Sequence, residues 1–271
     1  MILAIDIGGT KTLVAPCDDA GNPLEELRFP TPQKYVDFKK QLADTVASLT
    51  SDFTVVVAAV PGRLDRGNGL AIAFGNLPWR NVPIQSDIAK ITGKKVYIEN
   101  DANLAGLSEA NRIAPLPHRA LYITISTGIG TGIITDGRLD PDFLDSEGGN
   151  MLFEHNGKLE LWEKFASGKA IVAKYGKRAS ELEDPSAWKE IAKWFAIGIV
   201  NLTSVLEPDI IIIGGGVGTH YKKYEHYLKQ YISDLTPALA DIPKMVPATA
   251  PEEAVIFGCA ELAKQQHASH S

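Results

Sequence analysis

The chain has 271 residues, of which 45% are hydrophobic and 22% charged, with a formal net charge of -6 and a pI of about 5.6. This is an ordinary globular composition, long enough for one large domain or two lobes of about 100 to 150 residues, and its acidic excess argues against a nucleic-acid surface, which wants a basic face. A membrane span of ~20 apolar residues, a signal peptide at MILAIDIGG, and a disulfide framework or Cys-rich zinc site built on the widely spaced Cys17 and Cys259 are all excluded as readings, which leaves the cytoplasm as the expected compartment.

In chain order, ILAID (2–6) is a short apolar strand, and TLVAPCD (12–18) follows a tight glycine turn. DDAGNP (18–23) is a second turn signal before LEELRFP, so the spacing predicts an antiparallel three-strand meander. Tyr35, Phe38, Leu42, Val46 and Leu49 recur every three or four residues, which is one helix face. TVVVAAV (54–60) reads as a strand buried on both faces. A loop rich in Pro, Gly and Asn is expected from Pro61 to Pro83, then a short helix (84–93) stopping at Gly93, then a strand from Val96 to Glu99.

The pattern then restarts. RALYITIS (119–126) is a strand, Gly128, Gly130 and Gly132 are read as a turn, and IGTGIITDG (129–137) returns. A glycine-bearing loop is expected from Gly137 to about Gly157. Residues 187–206 are apolar almost all round, the mark of a buried helix. PDIIIIGGGV (208–217) is a buried strand ending in glycines, and Tyr221, Tyr224, Tyr227 and Leu228 mark a helix. MVPATA is a last strand, and residues 251–265 a last helix with Pro251 in its first turn. The tail after Ala263, with His267 and His270, reads as fraying. Each half thus opens with strand, glycine turn, strand. That echo predicts an α/β protein of two lobes facing a cleft, hinged near Asn103 to Leu116.

Three glycine turns sit at strand ends: DIGGTK (6–11), STGIGTG (126–132) and IGGGV (213–217). Glycine lets bare N–H groups approach a ligand, and with Thr hydroxyls such groups cradle phosphate. Asp6 stands where a carboxylate holds phosphate-bound Mg²⁺. Lys11 neutralises phosphate or is a solvated hairpin residue, the second being preferred. The loops are neither a Walker A motif nor a GxGxxG after the first strand. At 99–103, ENDAN places Asn100, Asp101 and Asn103 where a strand ends. Taken alone, these are ordinary turn and cap residues.

DIGGTK, AVPGRLD (59–65), NLPW (76–79), ENDANLAGLSE (99–109), STGIGTGIITDGRL (126–139), EGGN (147–150), EKFASG (163–168) and EPDIIIIGGGV (207–217) occur in this order. Together they resemble the ROK family of sugar kinases and related repressors, in the actin-like ATPase superfamily, over about residues 2 to 260. The resemblance implies a two-lobed actin-like ATPase (ribonuclease H-like) fold with a nucleotide and sugar cleft between the lobes. The expected division is 1–110, joined by a C-terminal helix at 252–266, and 111–251.

The resemblance also implies roles. Asp101 matches the general base, which takes the proton of a sugar hydroxyl as the phosphoryl group arrives. Asn100, Glu147, Asn150 and Glu163 match sugar-holding positions. In the 61–83 loop, Gly62, Arg63, Gly75 and Asn76 resemble the rest of the sugar pocket, Asn76 more than Arg63. Gly8, Gly9, Thr10, Lys11, Thr127, Gly128 and Gly130 fall at the phosphates, and Gly214, Gly215 and Gly216 at the α-phosphate and adenosine. Asp6 is expected to hold Mg²⁺, with ATP as donor and a hexose or N-acetylhexosamine as acceptor. No nucleic-acid or membrane partner is implied, and a homodimer is.

Two departures from the family pattern bear on specificity. Asn150 stands at a family histidine, and an amide has no titratable proton. The cysteine-bearing zinc segment of the family corresponds here to FEHNGKLELWEKF, without a cysteine. Zinc is therefore not expected, and packing by Leu152, Phe153, Leu159 and Trp162 is expected to hold that segment instead. The family's repressors carry a helix-turn-helix before the DIGGTK strand, which begins here after one residue. A non-catalytic sugar-binding regulator, favoured by Asn150, and a polyphosphate-dependent kinase stand as alternatives; the latter would want a basic track.

Overall fold

The computed structural model describes residues 1–18, 20–236 and 241–268. Asp19 of the second turn and His270 of the tail lie outside the described residues. The chain forms two compact units, Met1–Ser108 with the residues from Glu253 onward, and Glu109–Glu252.

The first unit is built on a five-stranded sheet. Strands β1 (Ile2–Ile7), β2 (Lys11–Cys17) and β3 (Leu27–Pro30) form the expected antiparallel meander. Helix α1 (Tyr35–Ala47) buries Phe38 and Leu42, and leads to β4 (Val55–Ala59), in which every residue is buried. The expected loop from Pro61 to Pro83 contains a small antiparallel sheet of β5 (Arg63–Asp65), β6 (Leu70–Ala73) and β7 (Arg80–Val82). Runs of three or four residues between Gly and Asn carry too little alternation to read as strands. Helix α2 (Ile84–Thr92) ends at Gly93, whose left-handed φ of 66° suits glycine. Strand β8 (Lys95–Glu99) and helix α3 (Asp101–Asn111) follow. The sheet order is β3-β2-β1-β4-β8, with β4 and β8 parallel to β1.

The second unit repeats that order. Strands β9 (Arg119–Ile125), β10 (Ile129–Thr135) and β11 (Arg138–Leu139) form the meander. The hairpin of β12 (Leu152–His155) and β13 (Lys158–Leu161) follows, then helices α4 (Trp162–Ala166), α5 (Gly168–Tyr175) and α6 (Pro185–Leu206). Strand β14 (Ile210–Gly214) is buried throughout. The short α7 (Gly215–Gly218), then α8 (Tyr221–Leu235) and β15 (Lys244–Pro247), complete the unit. The order β11-β10-β9-β14-β15 has β14 parallel to both its neighbours. The second core lies between this sheet and α6 and α8, where Trp188 stacks on Tyr224 at 5.5 Å.

Helix α9 (Ala254–Ala268) returns to the first unit and packs on β1 and β4. Pro251 precedes it in a turn and is not within its first turn, and the helix continues through residues 264–268, where fraying was expected. A β-carbon on Gly258 would stand 2.0 Å from the Leu104 carbonyl oxygen, so α9 crosses α3 at backbone distance. The Ser108 hydroxyl donates to the Ala254 carbonyl at 2.8 Å beside that crossing. The division between units falls inside α3, so the segment expected to hinge is helical up to Asn111.

Three local readings are corrected. Gly130 and Gly132 lie within β10, opposite Thr124 and Tyr122, and only Gly128 is in the turn. The expected loop at 137–157 contains β11, a short helical turn at Gly148–Asn150 and β12. Leu152 and Leu159 are exposed at 63% and 74%, so they do not pack the hairpin down. Its opposite face does: Phe153 and His155 lie on Phe165, with His155 stacked at 4.4 Å. Trp162 is buried and donates to the Trp194 carbonyl at 2.9 Å. Among the described residues, no helix is long and apolar enough to cross a membrane.

Candidate active site

In the first unit, the β1–β2 turn places Asp6, Gly8, Gly9 and Thr10 at one end of the sheet. The Gly8 amide donates to the Lys11 carbonyl at 2.9 Å. Neither glycine uses a left-handed φ; both are small because of their neighbours. A β-carbon on Gly9 would stand 2.7 Å from Cβ of Asn76, so the exposed Asn76 lies over the turn. Buried Thr31 braces the turn from behind. Its hydroxyl donates to the Gly8 carbonyl at 2.7 Å and pairs with the Thr12 hydroxyl at 2.9 Å, and its amide donates to the Thr10 carbonyl.

The strand end at Glu99 is both a helix cap and a cluster of carboxylates. The side-chain oxygen of Asn100 accepts from the amides of Ala102 at 2.8 Å and Asn103 at 3.3 Å, and its backbone carbonyl accepts from Leu104. Asn100 is thus the N-cap of α3, and its side-chain nitrogen reaches the Gly62 carbonyl at 3.3 Å. Asp101 is the first helical residue, half-buried. Burial raises its carboxyl above the usual range, against the amide of Ala102, which donates to it at 2.9 Å. Asp6 is also half-buried. Burial pushes it up to about 7, the charge of Asp101 adds to the rise, and Lys11 opposes it. Two carboxylates close enough for the charge of Asp101 to raise Asp6 suit a hard cation, and Mg²⁺ takes one or two carboxylates together with water and phosphate oxygens. Lys11 is exposed, yet its charge reaches Asp6. Arg63 is exposed, as are Gly75 and Asn76.

In the second unit, the turn at Ser126–Gly128 is closed by the Ser126 amide donating to the Gly128 carbonyl at 2.9 Å. Gly168, which opens α5, donates to the Ser126 carbonyl at 2.7 Å, and a β-carbon on Gly168 would meet that oxygen at 2.6 Å. The carboxylate of Glu163 lies against the turn, with one oxygen 2.7 Å from where a β-carbon on Gly128 would be. The loop bearing Glu147 and Asn150 is braced on β10. Buried Thr131 accepts from the Gly148 amide at 3.0 Å and donates to the Ser146 carbonyl at 3.2 Å. A β-carbon on Gly149 would stand 2.2 Å from the Ile129 carbonyl oxygen. Glu147 and Asn150 are exposed on this loop.

The glycines after β14 divide by role. A β-carbon on Gly214 would clash with the Tyr122 ring and hydroxyl. Gly215 has a left-handed φ of 77° and packs on Thr124 and Ile125. Gly216 faces open space. Gly216 and Thr127 line a cavity of about 710 Å³ whose wall includes Lys169, Arg178 and His220. Gly214, Gly215, Gly128 and Gly130 do not line it. Sequence reasoning missed Lys169, Arg178 and His220; only EKFASG, ending at Gly168, pointed near them. It also missed Arg66, which forms a two-pronged ion pair with buried Glu99.

At the segment matching the family's zinc motif, His155 Nδ1 is 3.1 Å from Glu160, and no cluster of three or more His, Cys, Asp or Glu gathers to hold a metal among the described residues. The donors present there do not fit a tetrahedral zinc.

Comparison with known proteins gives a match to the ROK family over residues 2–266. The chain is 30% identical to an N-acetylmannosamine kinase of Vibrio vulnificus (strain YJ016), over 80% of this chain and 83% of that one. It is 27% identical to a glucokinase of Thermotoga maritima, over 98% of both. A ROK family glucokinase from Streptomyces griseus, solved with glucose and AMPPNP, superposes with a TM-score of 0.84 at 23% identity, covering 97% of this chain and 99% of that one. The α/β fold of the actin-like ATPases expected from the sequence is the fold found.

Proposed function

The chain belongs to the ROK family and is a sugar kinase, and on that premise we propose that it transfers the γ-phosphoryl group of ATP to the primary hydroxyl of a hexose or N-acetylhexosamine. The observation that carries this reading is Asp101. It is a half-buried carboxylate made more basic by burial, fixed at the first residue of α3, with Asp6 and the Gly8–Gly9 turn in the same unit.

Asp101 accepts the proton of the sugar hydroxyl as the new oxygen–phosphorus bond forms and the bond to the leaving ADP oxygen breaks. Asn76, Asn100, Glu147, Asn150 and Glu163 bind sugar hydroxyls. Asn100 has spent its side-chain oxygen on the α3 cap, so it serves the sugar as a donor. Thr10 and the backbone of Gly8 and Gly9, and Thr127 with Gly128 and Gly130, meet phosphate oxygens, with Lys11 as a nearby positive charge. The 710 Å³ cavity takes the nucleoside part, with Gly216 at its open edge and Gly214 and Gly215 holding that edge in place. Asp6 holds Mg²⁺, which when bound neutralises charge on the phosphates. The protein works in the cytoplasm as a homodimer on small molecules, without a nucleic-acid or membrane partner and without zinc.

The test is a coupled ADP-release assay with Mg²⁺-ATP against glucose, fructose, mannose, allose, N-acetylglucosamine and N-acetylmannosamine, with polyphosphate as a second donor. Turnover of one sugar is expected. Tight sugar binding by calorimetry with no turnover from either donor would replace the kinase with a sugar-binding regulator.

A further inference from the structure

Glu99 is 4% exposed, yet it carries a carboxylate. Such a group persists in a core only when it is fully paired. Four donors meet it. Arg66 gives Nε to Oε2 at 2.8 Å and Nη2 to Oε1 at 2.5 Å. The Asn100 amide donates to Oε1 at 2.7 Å, and the Asn103 side-chain nitrogen at 2.9 Å. Two of these donors come from the first turn of α3 and its cap. The other two come from one guanidinium on the turn between β5 and β6. The planar fork of arginine fixes the carboxylate plane as well as its place.

We propose that Glu99, locked by Arg66, is a positioning residue that sets the start of α3 and thereby aims Asn100 and Asp101. The chain of contacts is short. Arg66 orients the carboxylate; the carboxylate holds the Asn100 amide and the Asn103 side chain. Asn100 in turn caps the helix through Ala102 and Asn103, and Asp101 is bonded on both sides to residues so held. The same ion pair ties the small β5–β6–β7 sheet to the end of β8. That tie is reinforced where the Asn100 side chain meets the Gly62 carbonyl at the entry to β5. A misplacement of about 1 Å at a reacting group can cost on the order of 100-fold in rate, so the pair has kinetic leverage without touching substrate. The kinetic consequence rests on Asp101 being the general base; the structural one does not.

The experiment compares wild type with Glu99→Gln, Arg66→Met and Arg66→Lys. In Glu99→Gln the amide keeps one acceptor for α3 but turns a donor toward Arg66. Arg66→Lys keeps the charge and loses the fork, and it is the variant to rely on if Arg66→Met does not fold. Two readouts are taken: kinetics on the sugar found by the panel, and amide hydrogen exchange resolved at Asn100 to Leu104. Expected are a fall in kcat of about 10- to 100-fold in Glu99→Gln and Arg66→Met, with Arg66→Lys between them and wild type. The KM for ATP stays within about twofold, and exchange at 100–104 quickens while β1 and β4 stay protected. Exchange and kcat unchanged in all variants would overturn the proposal. So would exchange that quickens uniformly across the sheet with the ATP and sugar KM rising together, since that is general loosening. If wild type turns over no sugar, the kinase reading fails by itself, and the exchange pattern at 100–104 still decides whether Glu99 and Arg66 set the helix start.

Discussion

Asp101 raises the cost of ionising Asp6: burial lifts both carboxyls, and the charge of Asp101 is the second cause of the rise of Asp6 to about 7. The sign of the stability effect follows. An unfolded Asp titrates near 3.8, so between about pH 4 and pH 7 the native protein binds more protons than the unfolded chain. Metal-free stability therefore falls as pH rises through that window. Asp6→Asn removes the effect. In EDTA at pH 8 this variant should melt higher than wild type, by on the order of 1–3 kcal/mol, and the gain should vanish as pH falls toward 4. Melting curves across pH check it; equal melting at pH 8 would mean Asp6 is solvated enough to ionise freely.

The same pair gives the metal prediction. EDTA should abolish turnover, and Mg²⁺ should restore it. Mg²⁺ should also raise the melting temperature of wild type while leaving Asp6→Asn unmoved, because binding to the native state alone stabilises it by mass action. A zinc-selective chelator should change neither stability nor rate. One zinc per chain in elemental analysis of the purified protein would overturn the reading of residues 151–165.

Asp101→Asn keeps the shape and the helix start and removes the proposed base. Loss of a positioned general base costs about 10² to 10⁴ in rate. The expected outcome is that loss in kcat with sugar affinity, measured by calorimetry, within a few-fold of wild type. A kcat within threefold of wild type would remove Asp101 from the chemistry.

Much of the architecture is legible in the residues because its signals are local. Val55 to Ala59 and Ile210 to Gly214 are apolar runs bounded by turn residues, and both are buried strands. Gly93 closes a helix where a left-handed φ is needed. The hairpin of β12 and β13 had a signal that went unread: Asn156–Gly157, both at positive φ, is the turn that such hairpins favour. Asp136–Gly137 between β10 and β11 is a second case. The two-residue period puts Leu152 and Leu159 on one face of this hairpin and Phe153 and His155 on the other, and it is the packing on Phe165, which only the fold supplies, that decides which face is covered. The Glu99–Arg66 pair lies beyond any local rule, since its partners are 33 residues apart and meet only through the fold. For Asn100 the local reading is the one met: its oxygen caps α3 and its nitrogen donates to the Gly62 carbonyl, which leaves the amide's second hydrogen for the proposed sugar contact.

Thr131 is a buried hydroxyl with two duties, accepting from the Gly148 amide and donating to the Ser146 carbonyl. Thr131→Val keeps the shape and leaves that amide and carbonyl unpaired. An unsatisfied buried group costs about 1–3 kcal/mol. The loop carrying Glu147 and Asn150 should loosen, raising the sugar KM more than the ATP KM. Steady-state kinetics in both substrates separates this from general destabilisation, which would move both.

The glycines after β14 offer the sharpest separation of packing from ligand contact. Gly214→Ala would drive a methyl into Tyr122, with its hydroxyl oxygen 2.2 Å away, and Tyr122 is buried at 2% exposure with little room to give. Overpacking of this kind costs about 1–3 kcal/mol, so this variant should lose stability. Gly216→Ala meets nothing within 4 Å and has no unusual φ. It should melt as wild type does, yet place a methyl at the edge of the 710 Å³ cavity. The expected kinetic signature of Gly216→Ala is a several-fold rise in the KM for ATP with the sugar KM unchanged. If ATP affinity, read by calorimetry with a non-hydrolysable analogue, is the same in Gly216→Ala and wild type, that edge of the cavity does not meet the nucleotide. The adenosine must then lie elsewhere along the wall formed by Lys169, Arg178 and His220, where single alanine substitutions would find it.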